Sequence, residues 1–219
     1  MARLRIAPIV EGDGEVACLP TLLRRVWKEI VGGEYADVLR PNLKPRDHLI
    51  DEKRLRDIVE ETAIMLASRS TQPLPGLILI LIDADTDCPA EIGPRLHHWA
   101  QGVDARFSVS CVLANMEYET WFAASARSLV ERGYLKLKPN EAIPDNPEGQ
   151  RLRKKWIQDR YAVQGEIKRN VRYSPTVDQL AMTREMDLSA CRANSPSFDK
   201  LCRELEKRIK LVGLGAQVP

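Results

Sequence analysis

Apolar residues alternate and then run together between Arg3 and Val10 (Leu4, Ile6, Ile9, Val10), and the run stops at a glycine-containing turn. That pattern predicts a strand feeding a loop. From Val16 to Val31 the residues Cys18, Leu19, Leu22, Leu23, Val26, Trp27 and Ile30 recur at spacings of three and four, which predicts a helix that has Pro20 in its first turn or is bent by it. Gly32 and Gly33 end it. Residues 34 to 47 hold two prolines and mixed polarity, and either an irregular strand or a loop fits them. Asp51 can cap a second helix, ending near Ser70, in which Leu55, Ile58, Val59, Thr62 and Leu66 share one face.

The breaker Gln72-Pro73-Leu74-Pro75-Gly76 precedes an unbroken apolar run, Leu77 to Ile82, of the kind found in strands covered on both faces. A helix over about Ala90 to Gln101, a strand over Arg106 to Leu113 and a helix over Met116 to Leu129 follow. Strands alternating with helices predict an α/β fold, with a parallel-stranded central sheet flanked by helices and a ligand site beyond the carboxyl ends of the strands. Pro139, Pro144, Pro147 and Gly149 mark a linker, so the expected division is a catalytic domain over 1–140 and a basic, mainly helical C-terminal extension over 141–219. The extension closes with an amphipathic helix from about Pro196, whose stripe of Phe198, Leu201, Cys202, Leu205 and Ile209 should pack back on the core.

Composition adds modest constraints. In 219 residues, 44% hydrophobic content supplies a real core. The five cysteines are scattered, with no C-x-x-C pair, and suggest neither a disulfide framework nor a zinc site. No signal-peptide pattern opens the chain and no apolar run approaches the ~20 residues of a bilayer span, so the expectation is a cytoplasmic protein without a membrane. Net charge is +2, but residues 151 to 173 hold eight basic side chains against two acids, a local excess of +6. Arg151, Arg153, Lys154, Lys155, Arg160, Lys168 and Arg169, interleaved with Trp156 and Tyr161, are candidates for nucleic-acid binding by phosphate pairing and base stacking, while a solvated helix face fits the same charges.

The candidate chemistry is acidic. Asp83, Asp85 and Asp87 follow the buried strand directly, and in extended chain their carboxylates would point one way. Such close like charges repel unless a cation neutralises them, and hard oxygen donors suit Mg²⁺ or Mn²⁺ better than zinc. Glu11-Gly12-Asp13-Gly14-Glu15 closes the first strand, with Glu15 near a helix N-terminus. Glu117 and Glu119, after the strand ending at Leu113, would reach the same edge, although acids in a first helical turn also simply complement the dipole.

Val10-Glu11-Gly12-x-Gly14-Glu15 followed by Leu81-Ile82-Asp83-x-Asp85-x-Asp87 resembles the motif pair of the Toprim superfamily over roughly residues 3 to 125. Within it the chain is most similar to OLD-type nucleases and to a bacterial group of stand-alone Toprim-like proteins that includes the nuclease effector of PARIS anti-phage systems. Glu117-x-Glu119-x-Trp121 and Ser195-Pro196-Ser197-Phe198 also look like features of that group. The resemblance implies a Toprim-like fold and a Mg²⁺- or Mn²⁺-dependent nuclease. In it Glu11 serves as metal-binding or acid/base glutamate, Asp83 and Asp85 as ligands, and Glu15 and Asp87 as assistants. It further implies an anti-phage or toxin-type effector acting on DNA or RNA, tRNA included, and a homodimer. Cys88-Pro89-Ala90 after the Asp-x-Asp departs from the usual continuation.

Two other readings stay open. One is an inactive Toprim-like binding subunit of an ATPase-containing complex; the other is a small-molecule phosphohydrolase, since haloacid-dehalogenase phosphatases also place Asp-x-Asp after an apolar strand. The chain has neither G-x-x-x-x-G-K-[ST] nor G-x-S-x-G, which argues against a P-loop NTPase and a serine hydrolase.

Overall fold

A computed structural model describes residues 3–68, 75–168 and 171–215, the side chains from 210 onward excepted. Its centre is a parallel sheet of five strands: β1 (Arg3–Val10), β2 (Tyr35–Val38), β3 (Asn42–Leu43), β4 (Gly76–Asp83) and β5 (Ser108–Ala114). β1 pairs on one side with β2 (Arg3 to Ile6 against Tyr35 to Val38) and then with β3 (Ile9 and Val10 against Asn42 and Leu43). On its other side β1 pairs with β4, and β4 with β5. Pro8, which cannot donate to a ladder, falls in the gap between the β2 and β3 pairings. The Ile6 and Val10 carbonyls on either side of it accept from Leu39 and Lys44, so the N–H that residue 8 lacks would have had no strand to meet.

Both faces of the sheet are covered, which is why its strands read as apolar runs. Leu77, Leu79 and Leu81 point into one core and Ile78, Ile80 and Ile82 into the other, as the two-residue period of a strand requires. All six are 2% exposed or less, and each contributes roughly 2 kcal/mol by leaving water. The isoleucine face packs on α3 (Glu52–Ser68) and α4 (Pro89–Ala100), through Leu55, Val59, Ala63, Leu66, Ile92 and Leu96. The leucine face packs on α1 (Asp13–Arg25), whose last turn runs into a π-helical turn at Val26–Ile30. It also packs on helices of the C-terminal third: α7 (Lys154–Gln158), α8 (Pro175–Glu185), α9 (Leu188–Asn194) and α10 (Pro196–Gly215). Ile157, Met182, Cys191, Phe198 and Leu205 belong to the same buried cluster as Leu19, Leu23 and Leu79, so the chain before and after residue 140 shares one core.

Several elements depart from the sequence reading. Residues 34 to 47 contain the short strands β2 and β3 and the first residues of a one-turn helix, α2 (Arg46–Leu49). The helix expected over Met116 to Leu129 is two, α5 (Glu119–Ala124) and α6 (Ala126–Glu131), broken at Ser125. The Ser125 hydroxyl donates back to the Trp121 and Phe122 carbonyls while its own carbonyl accepts from the Ser128 hydroxyl, and such local bonds compete with the helical ladder. Asp51 does cap α3, accepting from the Arg54 amide at 2.9 Å. Ser70, the expected end of that helix, lies outside the described residues. Among the described residues no helix is long and apolar enough to cross a membrane.

Candidate functional site

The chain leaves β1 toward β2 on one side and returns to β4 on the other, which opens a crevice beyond the carboxyl ends of β1 and β4. Glu11 follows β1 there and Asp83 ends β4. The two tails are stitched together, because the Asp83 amide donates to Glu11 Oε1 at 2.6 Å. Asp83 turns its own Oδ1 toward the end of β5, where the Tyr118 amide donates to it at 2.8 Å. Three strand ends therefore meet through two carboxylates.

The cleft at this point encloses about 510 Å³ and is lined by Glu11, Asp13 and Glu15 from the first loop and helix, Asp83 and Asp85 from the second, and Glu117 and Glu119 from the third. Against these carboxylates it presents, among the described residues, one cationic side chain, Lys154. Gly12 and Gly14 let the loop pass: a Cβ at Gly12 would strike the Glu15 carboxylate and one at Gly14 the Gln179 amide. Gln179, from α8, donates to Glu15 Oε1 at 3.4 Å, so the C-terminal third forms the far wall together with Ser174, Pro175 and Thr176.

Electrostatics follow from this crowding. Withdrawal from water, then repulsion by Glu15, Glu119 and Glu11, pushes the Asp83 carboxyl well above the ordinary aspartate range. Burial likewise raises Glu11 and Glu15, opposed at Glu11 by the Asp83 amide and Arg46 and at Glu15 by Gln179 and Lys154. Glu119, 5% exposed and accepting from the Tyr173 hydroxyl at 3.1 Å, is pushed up to about 6, chiefly by burial.

Beyond Asp83 the chain does not stay extended. Asp85 sits in the left-handed region at φ 51°, its amide donating to the Met116 carbonyl, and the Asp87 amide closes a turn on Ala84. The three aspartates therefore do not share one direction: Asp83 and Asp85 line the cleft, whereas the Asp87 carboxylate pairs with Arg46 at 2.9 Å outside it. Arg46, which the sequence reading missed, also donates to both Glu11 oxygens at 3.3 and 3.4 Å and to the Asp83 carbonyl, and its Nε stands 3.7 Å from Asp85. Among the described residues no three His, Cys, Asp or Glu side chains are placed together as a ready metal-binding group.

The basic stretch is dispersed. Lys154 reaches the cleft, and its amide donates to Glu117 Oε2 at 2.6 Å. Arg160 is buried, paired with Glu141 and stacked 4.3 Å from the Trp156 ring centre, so it braces the fold instead of meeting a ligand. Trp156 has that face covered, and Tyr161 is buried with its hydroxyl on Asp178 at 2.7 Å, so the expected base-stacking pair is occupied. Lys155 pairs with Asp159 on the surface, Arg153 precedes α7, and Arg151 and Lys168 are exposed. Arg169 lies outside the described residues.

Comparison with known proteins adds one relationship. Neither the curated proteins nor the solved structures gave a match. A family model described as a domain of unknown function, DUF4276, matches residues 10–206, a span that holds every acid of the cleft and the α8 wall opposite them. The chain belongs to the DUF4276 family.

Proposed function

We propose that this cleft is the active site of a Mg²⁺- or Mn²⁺-dependent nuclease. The observation that carries the reading is the meeting of Glu11 and Asp83, from strands distant in sequence, inside a cleft whose carboxylates far outnumber its cations. The donors are all hard oxygens, and burial followed by repulsion from neighbouring acids raises the Asp83 and Glu119 carboxyls, so the residue set fits such an ion in chemistry. Glu11, Asp83 and Asp85 would hold it, with Glu117 and Glu119 behind them. When bound, a divalent ion supplies Lewis acidity toward water and charge for the phosphoryl oxygens. Glu15 Oε1 is engaged by Gln179, and its raised pKa suits Oε2 to hold a proton for a leaving oxygen. The Lys154 ammonium, at the open side of the cleft, pairs with the phosphate backbone. The Toprim resemblance supports the same assignment and adds the effector role in defence or toxicity.

The test is cleavage of DNA, total RNA and tRNA by purified protein with Mg²⁺ or Mn²⁺, beside Glu11→Ala and Asp83→Asn. Metal-dependent cleavage by wild type, lowered at least about 10²-fold in both variants, is the expected result. Equal lack of cleavage in all three, with equal lack of toxicity on expression, overturns it. The inactive-subunit reading is favoured by one observation, that among the described residues no three His, Cys, Asp or Glu side chains are placed together as a ready metal-binding group. Failure of the protein to bind Mn²⁺ in calorimetry, together with capture of an ATPase partner, would decide for it.

A further inference from the structure

Arg46 opens α2, a single turn anchored by Leu49, which is fully buried. From there the guanidinium reaches across the ends of β1 and β4 and touches Glu11, Asp85, Asp87 and the Asp83 carbonyl. A planar fork of five N–H donors on three nitrogens can span acceptors that lie apart, whereas an ammonium offers its three donors from a single nitrogen. The contacts account for the lack, among the described residues, of three acids placed for one ion: Glu11 is held on the arginine and the Asp83 amide, and Asp87 is held outside the cleft on the arginine.

Resting on the metal-dependent reading above, we infer that Arg46 is a tethered counter-ion that competes with the divalent cation for Glu11 and the Asp83–Asp87 turn. Its single charge is shared among three carboxylates that would otherwise repel one another. A divalent cation has to displace it from Glu11 to gain that carboxylate. Displacement frees a guanidinium beside the cleft mouth, where its bidentate geometry suits a phosphate. A merely structural arginine makes the opposite prediction, since removing it would loosen the acids and weaken the ion's site.

The experiment is titration of Mn²⁺ alone into wild type, Arg46→Gln, Arg46→Lys and Asp83→Asn, by calorimetry, with melting temperatures of each metal-free protein. Expected are a lowered metal-free melting temperature for Arg46→Gln and Mn²⁺ binding about fivefold tighter than wild type, the gain expected for removing a competing charge of this partly exposed kind. Arg46→Lys, which keeps the charge and loses the fork, should fall between them. Mn²⁺ affinity in both Arg46 variants equal to or weaker than wild type overturns the inference. If wild type binds Mn²⁺ and Asp83→Asn does not, that outcome leaves the metal site standing. Absence of binding in wild type and in both Arg46 variants overturns the inference and the metal-dependent reading together.

Discussion

Replacing Glu119 by glutamine should stabilise the metal-free protein at high pH and leave it unchanged at low pH. Glu119 is 5% exposed and its carboxyl is raised from 4.5 to about 6, first by burial and then by Glu117 and Glu15. Because the folded value exceeds the unfolded one, the folded chain holds the proton more tightly, and ionisation opposes folding. Below pH 4.5 both states are protonated and there is no penalty. As pH rises through about 6 the penalty develops, and a shift of this size corresponds to about 2 kcal/mol once the group is ionised in both states. Glutamine cannot ionise, and its oxygen still accepts from the Tyr173 hydroxyl that bonds Glu119 Oε1. In a chain of this size 2 kcal/mol shifts melting by roughly 4 to 8 °C. Thermal melts of wild type and Glu119→Gln in chelator, from pH 4 to 8, should coincide at the acid end and diverge by that amount at pH 8. A constant difference at every pH would mean a packing effect, and no difference at pH 8 would refute the electrostatic account.

Other substitutions test two buried charges and the lysine of the cleft. Glu148, 7% exposed, accepts from Ser195, from the Ser197 amide at 3.0 Å and hydroxyl at 2.7 Å, and from Asn115 at 3.0 Å. Glu148→Ala leaves those donors unpaired and should cost about 3 kcal/mol in chemical denaturation, with Glu148→Gln costing less. Lys154→Ala, made on an Asp83→Asn background to prevent cleavage, should weaken binding of a fluorescent oligonucleotide and lower its salt dependence by about one released ion. Arg160→Ala, by contrast, should lower stability through loss of its contacts with Glu141 and Trp156 and leave that salt dependence unchanged.

The parts of the fold that were readable in the sequence are those where one face is apolar and the other is not, or where both faces are. β1, α1, α3, β4, α4 and β5 announce themselves in this way, and with them the two strand ends that bring Glu11 to Asp83. α8 gave no such signal because its sides are both engaged: Met182 and Thr183 face the core, while Gln179 is buried at the cleft beside Glu15. β2 and β3 are too short for a period to register, and each pairs with only part of β1. Arg46 sits in that patternless stretch, so nothing local marks a side chain whose partners lie some forty residues away at Asp83 and Asp87. The charge run after Arg151 was visible, but charge alone could not separate Lys154 at the cleft from Arg160 under Glu141. The turn at Asp85 was hidden for a different reason: an alternation rule assumes extended chain, and the Met116 carbonyl captures the Asp85 amide two residues past the last ladder pair, Asp83 with Ala114.

Anomalous diffraction from crystals soaked in Mn²⁺ tests the central claim most directly. The account predicts an anomalous peak in the cleft at about 2.0 to 2.3 Å from carboxylate oxygens of Glu11, Asp83 and Asp85, with Arg46 withdrawn from Glu11. A fully soaked crystal with no peak between these three side chains would contradict it.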